Sequence, residues 1–489
     1  MTLVTAPAGL ARKSVGTSSL WFFGVSASSP MTVLAGGIIA TYAGTGVLGV
    51  PLSFILLCLA LALATVGYVA MSRYVPHAAT FYALLARGLG PVWGVAGAMI
   101  ALIAYNCIQI SLYGLFGATL ASLAGGTWWV WAIVAWALVA LLGILHVGVN
   151  AKVLAVVLVL ELGMILLLDL TAFGNPATGS ISLEPLLPSS LFVDGVGGVL
   201  ALGVAAFIGY ESAPVYGEEA RGPRTVGRAT FASLAFLGAF YALSAWALAT
   251  ATGPEAVVDT ARDPEGGLPF VILDIHYGSA VSYLALILLI TSVFAAMLSF
   301  HNSVSRYVFA LSRERVLPAA LGRIGTGRRG GAPIGGSLVQ SAIAAIVVAI
   351  FVVLAADPIV VLFTWLSTIA AIGVMLLMFV TCVAVIMFFR RGGGSSESAW
   401  QRFGAPALGG VVMFAVLVIT VANVGSLLGA EPGSSITWML PAFVGLAVAL
   451  GLTWGLVLRQ VRPDIYRGIG HGRPKPLAVL DHQLAELDV

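Results

Sequence analysis

The segment Phe207-Ile208-Gly209-Tyr210-Glu211-Ser212-Ala213-Pro214 places a carboxylate, a glycine and a proline in the middle of an apolar stretch typical of a membrane-spanning helix. An ionised side chain at the bilayer centre costs about 2.5 to 3.5 kcal/mol, and an interrupted helix frees backbone groups that lipid cannot satisfy. Discontinuous membrane helices usually line a binding site whose ligand is held by the exposed helix ends. The segment therefore predicts a ligand site at mid-depth of the membrane.

The composition of the whole chain is that of a membrane protein. Of its 489 residues, 60% are hydrophobic and only 9% are charged, whereas about 25% of a soluble domain is charged. We predict an all-α polytopic membrane protein with twelve spans, because twelve apolar runs are long enough to cross about 30 Å of hydrocarbon. These runs, numbered as spans one to twelve, lie near residues 20–45, 50–73, 92–124, 128–146, 152–173, 196–218, 229–252, 279–302, 335–356, 358–389, 404–430 and 435–458.

The charged residues test this count separately, because short cytoplasmic loops are enriched in Lys and Arg. With the N-terminus inside, only Arg262 of the 23 Lys and Arg residues falls outside. The predicted outer loops carry acidic residues, namely Glu184, Asp194, Glu255, Asp259, Asp263 and Glu265. We therefore expect a multi-pass protein of the cell (inner) membrane with both termini in the cytoplasm. The net charge of +3 then reflects anchoring at the inner face, not nucleic-acid binding.

A second interruption lies in span one, where Gly24-Val25-Ser26-Ala27-Ser28-Ser29-Pro30 is small, polar and ended by proline. Two broken helices five spans apart indicate an inverted repeat with a site between the halves, so spans one to five should match spans six to ten. Short amphipathic stretches at Thr80 to Arg87 and Leu268 to His276 fall at corresponding places on opposite sides of the membrane, as inversion requires.

This organisation divides the chain into seven predicted segments. Spans eleven and twelve have no partner in the repeat and are expected to be peripheral. The segments are a cytoplasmic N-terminal segment (1–19), the first five-helix repeat (20–173), an extracellular loop (174–195), the second five-helix repeat (196–389), a cytoplasmic linker (390–403), helices eleven and twelve (404–458) and a cytoplasmic tail (459–489).

Several short motifs together resemble the amino acid–polyamine–organocation superfamily, and the likeness covers most of the chain. They are Phe207-x-Gly209-Tyr210-Glu211 with Glu218-Glu219, Pro223-Arg224 and Arg228-Ala229, Tyr68-x-x-Met71-Ser72-Arg73, Phe81-Tyr82 with Gly88-Leu89-Gly90, and Asn302-Ser303-x-Ser305-Arg306-Tyr307 with Val316-Leu317-Pro318. The resemblance implies a LeuT-like bundle of two inverted five-helix repeats. It also implies alternating access and transport of amino acids or related amines, often with protons.

The chain departs from the superfamily at the first break. Its relatives commonly carry Gly-Ser-Gly there, whereas Ser26-Ala27-Ser28 stands in this sequence. Unwound amides and hydroxyls can still receive an anionic group at a half-helix N-terminus, but the close backbone approach that glycine allows is partly lost.

The candidate substrate-binding residues lie at the two breaks and in span three. They are Ser26, Ala27, Ser28 and Ser29 in span one, Phe207, Ile208, Gly209 and Tyr210 in span six, and Tyr105 and Gln109 in span three. Tyr105 and Gln109 share a helical face that the inferred fold directs to the central cavity. The alternative for these two is hydrogen bonding between helices, and for the aromatic residues it is ordinary packing.

Two intramembrane carboxylates are the candidates for coupling transport to an ion. Glu161 lies near the middle of span five, where the resemblance places a lysine in some proton-coupled relatives. It would bind a proton that alternates with conformation, help to bind a cation, or stay neutral and structural. Glu211 would bind a coupled proton or hold the unwound amides of span one, or it would only satisfy backbone N–H groups freed by its own break.

The leading prediction is a secondary active transporter of amino acids or related amines, coupled to protons, whose partners are its substrate, protons and the lipid bilayer. The alternatives are a nucleobase-like or polyamine substrate, or an exchanger. An integral membrane enzyme should carry clustered catalytic residues at one membrane face, and the sequence has none. A Walker-type loop is also lacking, which excludes an ATP-driven pump. Neither a cofactor nor a metal site is expected.

Overall fold

The computed structural model describes residues 15–144, 147–217, 219–222, 224–263, 267–325, 332–428, 430–431 and 433–472. Within this part of the chain the structure is helical, and its single β-bridge pairs Val15 with Ala220. Parts of the predicted segments 1–19 and 459–489, and the motif residues Glu218 and Pro223, lie outside the described residues.

The helices follow the predicted spans closely. Span one comprises Thr17–Ser28 and residues 30–45, and span six comprises Val196–Phe207 and the 3-10 turn Tyr210–Tyr216. The other spans are Val50–Ser72, Pro91–Ala124, Trp128–Gly143, Val147–Gly174, Thr225–Thr252, Ser279–Arg313, Ile334–Val353, Pro358–Arg390, Trp400–Ala422 and Ile436–Val461. Shorter helices are Thr80–Gly88, Pro188–Leu191, Val257–Arg262, Leu268–Tyr277, Val424–Leu427 and Pro463–Gly468, with 3-10 turns at Glu184–Leu186 and Ala319–Gly322.

Eleven of these helices, among the described residues, are long and apolar enough to cross a membrane. The remaining predicted span, the fourth, corresponds to Trp128–Gly143, which has 16 residues. At 1.5 Å per residue such a helix is about 24 Å long, shorter than the hydrocarbon core. The prediction of a membrane protein built from many helices is confirmed, and the count of twelve spans stays a prediction.

Glycines allow neighbouring helices to approach closely. A Cβ atom at Gly336 in span nine would lie 2.2 Å from the carbonyl oxygen of Ser305 in span eight, and one at Gly451 in span twelve would lie 2.5 Å from Cα of Ala96 in span three. Small residues at helix contacts are the usual means of packing in lipid, where apolar surface alone does not drive association. Span twelve is therefore packed closely against span three.

Arginines collect at one end of the bundle, which we call the arginine-rich face and define by Arg73, Arg87, Arg221, Arg313 and Arg391. The chain after span twelve returns to this face. There the Glu314 carboxylate accepts hydrogen bonds from the backbone amides of Gly470 (2.8 Å) and Gly472 (2.5 Å).

Side chains of the helix Thr80–Gly88 and its preceding turn complete the environment of Glu314. His77 Nε2 lies 2.9 Å from the carboxylate, and the Tyr82 hydroxyl donates to it. Burial alone would raise the pKa of Glu314, but the hydrogen bond and charge of His77, with the hydrogen bonds of Tyr82 and Gly470, lower it below its usual value. The ionised carboxylate therefore fastens residues 470–472 to the end of span eight.

Replacing Glu314 by Gln should lower the thermal stability of the purified protein at pH 7, because hydrogen bonds to a charged group contribute about 1.5 to 3 kcal/mol. A lowered pKa gives stability that is present above the unfolded-state pKa and is lost as the pH falls through the folded-state pKa. The deficit of Glu314→Gln should therefore shrink as the pH falls below the ordinary range of a glutamic acid, because the carboxyl of the parent protein then also takes up a proton.

Differential scanning fluorimetry across pH measures this deficit, and the exposed Glu431→Gln is the matched control. A deficit of equal size at pH 7 and at the acid end of the series would contradict an ionised Glu314.

Candidate functional site

The break in span one is centred on Ser29. The first half of the span ends at Ser28 and the second begins at Pro30, while Ser29 itself has φ of +49°. The Ser29 amide donates to the carbonyl oxygens of Val25 and Ser26 at 3.1 and 3.2 Å, which closes the first half. A left-handed conformation at a residue other than glycine costs on the order of 1 to 3 kcal/mol and persists only where the surroundings enforce it.

The break in span six lies directly against the first one. The Ser28 hydroxyl is 3.4 and 3.3 Å from the carbonyl oxygens of Phe207 and Ile208, to which it can donate. Gly209 has φ of +120°, and a Cβ atom there would lie 2.8 Å from Cβ of Ala27. The hydroxyl therefore offers a donor to the carbonyl groups freed at the second break, and the glycine lets the two unwound backbones pack together inside the membrane, where water is absent.

A cavity of about 470 Å³ begins at these breaks. Four of the predicted binding residues line it: Ala27, Ser28, Ser29 and Ile208. Most of the rest of its wall comes from spans one, three, six, eight and ten, including Thr32, Ile108, Ala205, Phe300, Phe363 and Ser367. The cavity continues to the exposed residues Gly44 and Arg262, at the face opposite the arginine-rich one.

The opposite route, toward the arginine-rich face, is closed by packed side chains. Arg306 forms a buried ion pair with Glu219, with Nε and Oε1 3.1 Å apart. Its guanidinium also lies 4.6 Å from the centre of the Tyr216 ring, which is stacked on Phe23 of span one. Among the described residues, the cavity therefore opens toward the face that carries Gly44 and Arg262 and is closed toward the arginine-rich face.

Glu161 lies behind the break in span one. Its Oε1 accepts a hydrogen bond from the Met31 amide at 2.6 Å and one from the Ser292 hydroxyl of span eight at 2.5 Å. Ser292 is also 2.6 Å from the hydroxyl of Ser29, which lines the cavity. One carboxylate thus joins spans one, five and eight and caps the N-terminus of residues 30–45, where a negative charge is favourable.

Glu211 has more local contacts. Its Oε2 accepts from the amide of Gly209 at 2.9 Å and its Oε1 accepts from the Tyr105 hydroxyl at 3.0 Å. These contacts hold the break in span six and connect it to span three. Among the described residues Glu211 makes no hydrogen bond to span one, whose amide at Met31 is bound by Glu161 instead.

Six predicted binding residues lie away from the cavity wall. Tyr105 donates to Glu211, and Gln109 donates to the Tyr113 hydroxyl and accepts from Gln340 of span nine. The Tyr210 hydroxyl is 3.0 Å from that of Thr65. Phe207, Gly209 and Ser26 are the remaining three, and Phe207 packs against Phe54 and Tyr241. In this conformation these six residues pack around the site and do not line the cavity.

Comparison with known proteins agrees with this architecture. The family model described as amino acid permease matches residues 15–450. The chain belongs to the amino acid permease family. This family places it in the amino acid–polyamine–organocation superfamily that the motifs resemble. No curated protein matches the chain.

Three residues outside the predicted set also belong to this site. Ser292 joins Ser29 to Glu161, and Thr32 and Phe300 line the cavity, but hydroxyl and aromatic residues are too common in membrane helices to give a specific signal. Asp169 could have been selected from the sequence, because an acidic residue inside the apolar run 165–170 of span five is unusual and indicates a functional residue.

Gly209→Ala should lower both the stability and the transport activity of the permease. Alanine at φ of +120° is strained, and its Cβ would lie within 2.9 Å of Ala27 and of the Ser28 amide nitrogen. Strain of this kind costs on the order of 1 to 3 kcal/mol before the collision is counted. Thermal unfolding in detergent and uptake into proteoliposomes measure the two losses.

Gly163→Ala in span five is the matched control, because nothing lies within 4 Å of a Cβ atom at that position. Equal behaviour of the two variants would contradict the close contact between the breaks.

Proposed function

We propose that this permease is a proton-coupled secondary transporter of amino acids or related amines that works by alternating access. The observation that carries the proposal is the juxtaposition of cavity and carboxylate. Ser29 contributes to the cavity wall, and its hydroxyl is 2.6 Å from Ser292, which donates to Glu161. A substrate at the break and a proton on Glu161 would therefore act on the same backbone segment.

The polarity of the break favours an amine as the recognised group. The half-helices Thr17–Ser28 and Val196–Phe207 both end at the cavity wall, and helix C-termini carry partial negative charge. The Met31 amide, which could otherwise bind an anion, already donates to Glu161. A protonated amino group therefore has the better-defined partners at this end of the cavity.

The cavity wall argues against a polyamine. Among the described residues that line it none is acidic, and its single charged side chain is Arg262 at the mouth. The second ammonium group of a polyamine would be buried without a counter-charge, which is costly. The apolar wall beyond the break suits the side chain of a neutral amino acid.

The proposed architecture is the LeuT-like one. Residues 20–173 and 196–389 are two inverted five-helix repeats, and the fourth span completes a set of twelve. The paired breaks support this arrangement, as do the helices Thr80–Gly88 and Leu268–Tyr277 at corresponding positions of the two halves. The arginine-rich face is the cytoplasmic one of the cell (inner) membrane, so the described cavity faces outward.

Glu161 is the proposed coupling residue and Glu211 the support of the second break. Protonation of Glu161 would remove the charge that holds the Met31 amide and the Ser292 hydroxyl. Spans one and eight would then be freer to move relative to span five. A proton on Glu161 would thereby favour a conformation in which the broken segment of span one moves and the cavity opens toward the arginine-rich face.

Glu161→Gln should abolish uptake driven by a pH gradient while retaining exchange of substrate, because the amide fills the same space but binds no proton. Proteoliposomes, loaded for net uptake or for counterflow, are supplied with labelled neutral amino acids, amines and polyamines. The exposed Glu184→Gln is the matched control.

Two results would count against the proposal. Transport of no amino acid or amine by the parent protein would remove the assigned substrate class. An unchanged response of Glu161→Gln to the pH gradient would remove Glu161 from the coupling.

A further inference from the structure

Asp169 is a second buried carboxylate in span five and has no role in the mechanism described above. Its residue is 1% exposed. Oδ2 accepts a hydrogen bond from the Ser244 hydroxyl of span seven at 2.8 Å, whereas Oδ1 has no hydrogen-bond partner among the described residues. No ion pair involves Asp169 in this part of the chain. An isolated charge in such a place is unfavourable, and a bound proton removes that cost.

Asp169 lies between Glu161 and the outer end of span five. It follows Glu161 by eight residues, a rise of about 12 Å along the helix. Thr171, two residues further on, lies 2.9 Å from the hydroxyl of Tyr277, on the helix Leu268–Tyr277. Beyond the span, the Ala177 amide donates to the carbonyl oxygen of Thr250, near the end of span seven. Asp169 is therefore closer than Glu161 to the face on which the cavity opens.

Asp169 and Glu161 each contact a helix that holds the break in span one. Ser244 and Tyr241 stand one turn apart on span seven, and the Tyr241 hydroxyl donates to the Ser28 carbonyl oxygen at 3.2 Å. Ser28 is adjacent to Ser29, which reaches Glu161 through Ser292. Both carboxylates are thus joined to the same break by side chains of spans seven and eight.

The other titratable groups near Asp169 are few. Tyr42 of span one donates to the Ala245 carbonyl oxygen beside Ser244, and Tyr241 lies on the same helix. The helix Leu268–Tyr277 contributes Tyr277 and His276, and the His276 ring is 2.9 Å from the Ile272 carbonyl oxygen. None of these groups forms an ion pair with Asp169 among the described residues. A proton is therefore the simplest partner for its free oxygen.

We propose that Asp169 is a second proton-binding residue, which takes up a proton from the outer solution and releases it again as the permease changes conformation. The proposal rests on the proton coupling proposed above. A proton from the outer solution binds the Asp169 carboxylate. The bound proton neutralises the carboxylate and leaves the Ser244 hydrogen bond in place, and its release restores the charge, so no charge or atom is left over. Asp169 thereby fills the proton site on the outer side, before the cavity closes.

Asp169→Asn tests this role, because the amide oxygen can still accept from Ser244 but no proton can be bound or released. The readout is the ratio of pH-gradient-driven uptake to substrate exchange in proteoliposomes, measured across external pH. We expect that ratio to fall by about a hundredfold, the lower end of the range of effects that positioned proton-transfer groups have. Asp194→Asn, an exposed residue of the loop before span six, is the matched control.

Ser244→Ala is the second variant, since it keeps the carboxyl and removes its donor. It should shift the external pH at which uptake is half-maximal, and it decides the question if Asp169→Asn does not fold.

The outcomes separate the two proposals. If the parent protein is driven by a pH gradient and both variants keep its ratio and its pH profile, Asp169 is only a structural hydrogen-bond partner. That result overturns this inference and leaves the coupling by Glu161 intact. If uptake by the parent protein ignores the pH gradient, the proton coupling fails and the role of Asp169 fails with it.

Discussion

The fold and the cavity depend on how two interrupted helices obtain hydrogen-bond partners for their freed backbone groups inside the membrane. Water is absent there, so each amide and carbonyl freed by a break needs a protein partner. Ser28 reaches the carbonyl oxygens of Phe207 and Ile208, and Gly209 lets the second break pack on the first. The cavity forms where the helices of spans one and six are both interrupted at the same depth.

The two predicted coupling carboxylates differ in what their contacts connect. Glu161 holds an amide of span one and a hydroxyl of span eight, so its charge bears on the relative position of three spans. Glu211 holds the amide of Gly209, two residues away, together with Tyr105. Loss of charge on Glu161 would therefore alter contacts between helices, whereas Glu211 mainly shapes its own break. This difference favours Glu161 as the residue that links a proton to movement.

The sequence predicted the breaks well and the cavity wall poorly, for physical reasons. A glycine, a proline and a carboxylate inside an apolar run are costly, so their presence is informative at Gly209, Pro30 and Glu161. Tyr105 and Gln109 share a helical face, but their partners Glu211 and Gln340 come from other helices that no local pattern identifies. Most of the wall is alanine, leucine, isoleucine, valine and phenylalanine, which look alike whether they face a cavity, lipid or another helix.

The most direct test is chemical labelling of a cysteine in the cavity. Thr32→Cys would be made in protein whose native Cys58, Cys107 and Cys382 are replaced, with Ser26→Cys, buried beside the same break but off the cavity wall, as the control. A membrane-impermeant thiol reagent, added at the face opposite the arginine-rich one, should label Thr32→Cys faster than Ser26→Cys, and a transported amino acid should slow that labelling. Equal labelling of both cysteines, or no protection by any amino acid or amine, would contradict a substrate site at the paired breaks.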